Sequence, residues 1–213
     1  MKFAVLGSGQ VGRSLGAGLV RHGHEVLMGT RDAGAAHVVS WVAEVGDRGR
    51  AVSYEEAATE AEIACLVTAW GGAESALTLA GSSNLAAKVV IDVTNPFGRG
   101  PSGPTLVIGH DDSAGEQVQR WLPESLVVKT WNTVNHEHMI DPQIPGGPGD
   151  MFLCGNDATA KQTVSEIVAA CGWPPVDVGS IEAARMLEPL ALLWVTYAIS
   201  HGTSDHAFKL LRR

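Results

Sequence analysis

The sequence predicts an α/β protein: a doubly wound, mainly parallel sheet with helices on both faces and a short helical C-terminal extension. Three observations carry this reading. Short apolar runs alternate with helical patterns, and strands that are apolar throughout are those covered by helices on both faces. A glycine cluster, Gly7-Ser8-Gly9-Gln10-Val11-Gly12, stands between the first apolar run and the first helical pattern. The 213 residues show no repeat and no clear linker, and that length suits one sizeable domain. We therefore read 1–213 as a single domain with 173–213 as its C-terminal helical segment.

The elements follow in order. Residues 3–6 are a buried-strand run, and 10–21 form the helix behind the glycines. Residues 25–29 (EVLMG) are the second strand, 33–45 a helix and 51–53 a short strand. The run IACLVTA (63–69) is a strong strand, followed by a helix over 73–79. KVVIDVT (88–94) and SLVVKTW (125–131) are further strands. Between them the Gly- and Pro-rich stretch 95–115 reads as one long loop leading into a helix over 116–122; loops of that length in compact domains are usually functional. A second such loop, 140–150, precedes the strand MFLCG. A helix over 158–171 and a long helical pattern over 181–201 complete the chain.

Composition narrows the function. An apolar fraction of 45% and a charged fraction of 18% describe a folded globular protein. A net charge of −8 disfavours nucleic acid and anionic membranes, which reward basic surfaces, but a local site can still hold phosphate. The three cysteines lie far apart with no C-x-x-C, so neither a disulfide framework nor a zinc site is signalled; Cys65 and Cys154 read as core. The N-terminus passes directly into the glycine motif, so no signal peptide is expected. The apolar run 190–199 is far shorter than the roughly twenty residues a bilayer needs. The expectation is a cytoplasmic protein with a small-molecule partner.

The glycine cluster has the G-x-G-x-x-G form of a Rossmann-type dinucleotide fingerprint, and its place between a strand and a helix gives it meaning. Gly7 would make the tight turn, Gly9 would admit a pyrophosphate, and Gly12 would let helix and strand pack closely. The helix N-terminus would then aim free N–H groups at the phosphates. In an NAD-binding chain an acid ends the second strand and holds the ribose. Here that strand ends Met28-Gly29-Thr30-Arg31-Asp32. Glycine takes the acid's place, Thr30 offers a hydroxyl and Arg31 a charged fork suited to a 2′-phosphate. This is the NADP pattern. Asp32 comes too late for the ribose and is expected to start the next helix as an N-cap or first-turn acid.

Taken with VLGSGQVGRSLG and VLMGTRD, the stretches VIDVTNP, WLPESLVVKTWNTV and VDVGSIEAARMLEPLALLW resemble the NADPH:coenzyme F420 oxidoreductase family. They also resemble the NADPH-binding domain of the six-transmembrane metalloreductases. The resemblance runs from the first strand to the C-terminal helix. It implies a Rossmann domain whose C-terminal segment helps form the substrate cleft, a homodimer, and hydride transfer between NADP(H) and F420 or a flavin such as FMN or FAD. By the same resemblance Ser8, Gln10 and Val11 belong to the pyrophosphate turn, and Thr30 and Arg31 to the 2′-phosphate site. Ala69 and Trp70 border the nicotinamide half, Asn95 and Pro96 occupy the loop after the fifth strand, and Trp131 and Asn132 reach the acceptor. Archaeal members carry further basic residues after the arginine; here DAGAAH follows.

Hydride transfer between two cofactors asks the protein mainly to align them, so no acid–base constellation is required. None with convincing spacing is present. His136-x-His138 places two imidazoles on different sides of a helix, and Gly109-His110-Asp111-Asp112 reads as a polar turn. Trp70 and Trp131 are read either as packing residues or as ring-stacking platforms. The stripe Met186, Leu190, Leu193, Trp194 reads as core or dimer interface. Two other functions fit the nucleotide motif: a reductase of a small carbonyl or imine substrate, and a non-catalytic NADP(H) sensor. The first includes hydroxyacid dehydrogenases and imine reductases; the hydroxyacid enzymes typically need a lysine on a central helix of a larger C-terminal domain, and none of the five lysines here lies in the long C-terminal helix.

Overall fold

A computed structural model describes residues 1–101 and 103–211. Eight strands form one sheet in the order β10-β9-β8-β5-β4-β1-β2-β3: β1 (Lys2–Leu6), β2 (Glu25–Gly29), β3 (Gly49–Val52), β4 (Ile63–Leu66), β5 (Val89–Asp92), β8 (Leu126–Lys129), β9 (Met151–Gly155) and β10 (Pro175–Asp177). All neighbours run parallel except β8 and β9. The helices are α1 (Gln10–Arg21), α2 (Ala36–Val45), α3 (Tyr54–Glu60), α4 (Ala73–Ala80), α5 (Ala114–Trp121), α6 (Ala158–Ala170) and α7 (Ala184–His201). The strand order reverses beside β1, between β2 and β4, and ligands in open α/β sheets bind at such a switch point, beyond the carboxyl ends of the strands.

Side-chain alternation explains the two-layered core. Phe3 and Val5 enter one apolar cluster with Leu15, Val26 and Trp41, while Ala4 and Leu6 enter another with Ala57, Leu77 and Leu85. Ile63 and Cys65 join the first cluster, Ala64 and Leu66 the second. A strand that feeds both faces must be apolar at every position, and this is why these runs read as strands. All three cysteines are buried and free.

The structure departs from the sequence reading at four places. Asp32 does not cap α2: its carboxylate accepts the Gly34 N–H at 2.9 Å, an Asx turn, and α2 begins four residues after it, with Ala35 as N-cap and no side-chain cap. The stretch 95–115 is not one loop, because Phe97–Gly100 (β6) and Gly103–Leu106 (β7) pair as an antiparallel ribbon. Glycine is required there: a Cβ on Gly98 would lie 2.5 Å from a Val107 methyl. The added helix α3 is capped by Ser53, whose Oγ accepts the Glu56 N–H at 3.1 Å. Finally, β10 continues the sheet beyond β9 at its edge, a place that tolerates its leading proline.

Gly12 leaves no room for a side chain. A Cβ there would stand 2.0 Å from the Gly7 carbonyl oxygen, so α1 and β1 can approach only if residue 12 has no side chain. Gly12→Ala is expected to lower stability by about 3 kcal/mol or more, read as a shifted midpoint in urea at unchanged slope.

Candidate functional site

The carboxyl ends of β1, β2 and β4 open onto one cleft of about 700 Å³. Gly7, Ser8 and Gly9 form its floor, Thr30 and Arg31 one wall, and Thr68 and Ala69 the other. Gly7 has φ of 133°, a backbone conformation open to glycine, and donates its N–H to Val5 and Gly29 carbonyls at 3.1 Å each. A Cβ on Gly9 would meet nothing within 4 Å, so the cleft approaches the main chain at this point. Gly9 caps α1 without a side chain, and the first turn of α1 carries no acid. Its free amides and positive dipole end are therefore available to an anion. Arg13 holds the turn in place, donating from Nη1 to the Ser8 carbonyl at 2.8 Å.

The end of the cleft beside the last residues of β2 is equally defined. Thr30 is 8% exposed, with its Oγ1 at 3.2 Å from Ser8 Oγ. Arg31 is exposed beside it. Tyr54 forms the floor here; burial raises its phenol pKa, against the opposing pull of the Arg31 charge. A Cβ on Gly29 would sit 3.2 Å from Leu6 and 3.3 Å from Tyr54. Glycine at 29 thus does more than remove a carboxylate, since a larger residue would press on both neighbours. Thr68 Oγ1 is buried and finds no partner within the described residues. A dinucleotide suits this donor set: bare main chain at the turn, a helix N-terminus, hydroxyls, and a guanidinium at the far end.

Not every expected residue faces this cleft. Gln10 points into an adjoining groove of about 580 Å³, between α1, α2 and the turn at His136–His138. Val11 packs on the core. Trp70 stacks on Trp121, with centroids 5.3 Å apart and planes 17° apart. Trp131 has its side chain buried in the core, 1% exposed. Its φ of 56° is unfavourable for a bulky residue, and this sharp turn delivers the next residue, Asn132.

Asn132 and Asn95 do converge. Asn95 Nδ2 donates to the Asn132 carbonyl at 2.8 Å, and Asn132 Nδ2 to Asn95 Oδ1 at 3.1 Å. Asn132 also donates to the Leu187 carbonyl of α7 at 2.9 Å, which ties both sheet loops to the C-terminal helix. Pro96 is buried and accepts the Val107 N–H, so it anchors the β6–β7 ribbon. A second cleft of about 820 Å³ lies between that ribbon and α7, lined by Phe97, Arg99, Thr196 and Ile199.

Beneath the asparagine pair is a buried charge cluster that the sequence reading did not identify. Lys129 Nζ stands 2.8 Å from Asp92 Oδ2 and 3.1 Å from Glu188 Oε1, with all three side chains at most 1% exposed. It also donates to the Thr94 carbonyl at 2.8 Å, while Asp92 Oδ1 accepts from the Thr94 N–H and hydroxyl. Glu188 accepts the N–H groups of Ala114 and Gly115 at the start of α5. Burial pushes the Glu188 carboxyl up, against the pull of Lys129. Burial opposes the charge on Lys129, but the carboxylates of Asp92 and Glu188 outweigh it and hold its pKa above the usual lysine value. The cluster locks the backbone leading into Asn95 against α5 and α7.

His136 bonds to Ser14 and His138 to Asp205, and no group of three His, Cys, Asp or Glu suited to a metal occurs among the described residues. Of the C-terminal stripe, Trp194 is buried while Met186 and Leu193 are exposed. No helix among the described residues is long and apolar enough to cross a membrane.

Fold and cleft together define a Rossmann-type dinucleotide-binding protein. A family model described as NADP oxidoreductase, coenzyme F420-dependent, matches residues 2–96. The chain is 30% identical to an F420-dependent NADP reductase of Methanothermobacter marburgensis, over 99% of this chain and 98% of that protein. It belongs to this family. A protein of Arthrobacter sp. FB24, provisionally assigned as an F420-dependent NADP reductase, has a crystal structure that superposes with a TM-score of 0.93 at 38% identity, covering both chains fully. Metalloreductase STEAP3 of Rattus norvegicus is 32% identical over 90% of this chain, which spans 37% of that protein's length. An imine reductase of Aspergillus terreus shares the fold at 17% identity and a TM-score of 0.66.

Proposed function

We propose that this protein transfers hydride between NADPH and a deazaflavin, coenzyme F420 or a close relative. One observation carries the nucleotide half of the reading: Gly9, Thr30 and Arg31 share a single cleft. The α1 N-terminus and bare Gly9 backbone hold the pyrophosphate. Thr30 and Arg31 take the 2′-phosphate, as Arg guanidinium matches phosphate oxygens in pairs. Ala69 borders the nicotinamide half, and the unpartnered Thr68 hydroxyl supplies a hydrogen bond there. When bound, the nicotinamide supplies a hydride and the deazaflavin ring accepts it, so the protein's task is alignment and exclusion of water.

The acceptor half rests on the convergence of Asn95 and Asn132 with α7 and on family membership. The cleft beside the β6–β7 ribbon, with apolar Phe97 and Ile199 and the cation Arg99, suits an aromatic ring carrying an anionic tail. Met186, Leu193 and Tyr197 form one exposed stripe on α7, and a second copy of the chain would cover it. Mixing purified protein with NADPH and either F420 or FMN, and following the acceptor's absorbance, tests this function. Rapid bleaching of F420 with little effect on FMN is the expected result. Turnover of FMN alone would move the acceptor to the flavins, and tight NADPH binding without turnover of either would favour a sensor.

A further inference from the structure

The five residues after Arg31, Asp32-Ala33-Gly34-Ala35-Ala36, contain no cation, so along the chain Arg31 looks like the only basic residue offered to a 2′-phosphate. The fold supplies another. His37 lies in the first turn of α2, and its Nε2 stands 3.4 Å from Ser8 Oγ, which in turn is 3.2 Å from Thr30 Oγ1. Three segments thus place three polar side chains side by side: the glycine turn, the end of β2 and the start of α2. His37 also lines the same cleft as Arg31, on its exposed rim.

The surroundings favour an anion at this spot. α2 has no side-chain cap and no acid in its first turn, so the positive end of its dipole is uncompensated. Asp32, the nearest acid in sequence, is turned back on the Gly34 N–H and leaves the α2 N-terminus free. An imidazole N–H is a donor in either charge state once the tautomer adjusts. The weak contact to Ser8 is readily exchanged for a stronger bond to a phosphate oxygen.

We infer that His37 is a specificity-determining residue, donating to the 2′-phosphate of NADPH alongside Thr30 and Arg31. This rests on the NADP reading above. The test is titration calorimetry of the full-length protein with 2′,5′-ADP and with 5′-AMP, two probes that differ by the 2′-phosphate alone. His37→Ala should bind 2′,5′-ADP about tenfold more weakly and 5′-AMP as the wild type does. His37→Lys, which keeps a donor, should retain most of the affinity. Unchanged binding of 2′,5′-ADP by the alanine variant overturns the inference, as does equal weakening of both probes. A lysine variant as weak as the alanine variant would also overturn it, assigning the loss to loop packing. If the wild type itself fails to prefer 2′,5′-ADP over 5′-AMP, the NADP reading falls and His37 with it, a result distinct from the other three.

Discussion

Lys129→Met should destabilise the protein by about 3–5 kcal/mol, the usual cost of removing one partner from a buried ion pair. The wild-type cluster sets one ammonium against two carboxylates. The deficit is balanced by the Ala114 and Gly115 N–H groups at Glu188 and by the Thr94 N–H and hydroxyl at Asp92. Methionine fills the volume but leaves two buried carboxylates facing each other. Against a typical total of about 5–15 kcal/mol, the loss is large. It should depend on pH in a defined direction. Glu188 already has a raised pKa in the folded protein, so its protonated form favours folding and the benefit disappears as pH rises through that value. Loss of Lys129 raises it further. Denaturant midpoints should therefore show the variant weakest near neutral pH and partly recovered as the pH falls. Adding Glu188→Gln to Lys129→Met should recover part of the loss at neutral pH. Additive effects in that cycle would mean the two groups are not coupled.

Arg31→Ala should raise the KM for NADPH by about 10- to 100-fold, as expected for loss of charge-assisted bonds to a phosphate, and leave the KM for NADH nearly unchanged. Arg31 is exposed and contributes nothing to the core, so the variant should keep the wild-type melting temperature. A change confined to KM marks uniform binding of the remote phosphate. A matching fall in kcat would show that the 2′-phosphate also helps to align the nicotinamide. Equal losses for NADPH and NADH would contradict the 2′-phosphate assignment.

What could be read along the chain was what the chain builds locally. The glycine turn, α1 and the end of β2 are contiguous pieces whose geometry follows from nearest-neighbour constraints, and Gly7, Gly9, Thr30 and Arg31 share one cleft. α3 was readable in principle, because Ser53-Tyr54-Glu55-Glu56 has the spacing of a capping signature. The β6–β7 ribbon was not, since the glycines and prolines that allow its strands to approach are those that otherwise mark a loop. Trp131 shows another limit. Its place at a strand end left packing and stacking both open, and only the packed structure shows the ring turned into the core.

The remaining features depend on residues that meet only in three dimensions. Lys129 reaches Asp92 from the neighbouring strand and Glu188 from the last helix, and no spacing rule links them. Asn95 and Asn132 are 37 residues apart and pair because β5 and β8 are adjacent in the sheet. Gln10 lines the adjoining groove because a position in the first turn of a helix can face either of two grooves, and the motif does not say which.

Direct hydride transfer from NADPH to a deazaflavin carbon is the step on which the proposed function stands. Its most direct test is a single turnover of the purified protein with NADPH deuterated at the transferred C4 position and F420 in ordinary water, with the reduced F420 analysed by mass spectrometry. Stoichiometric reduction with deuterium retained on the reduced deazaflavin is the expected result. Reduced F420 without the label, or NADPH bound and F420 left oxidised, would contradict it.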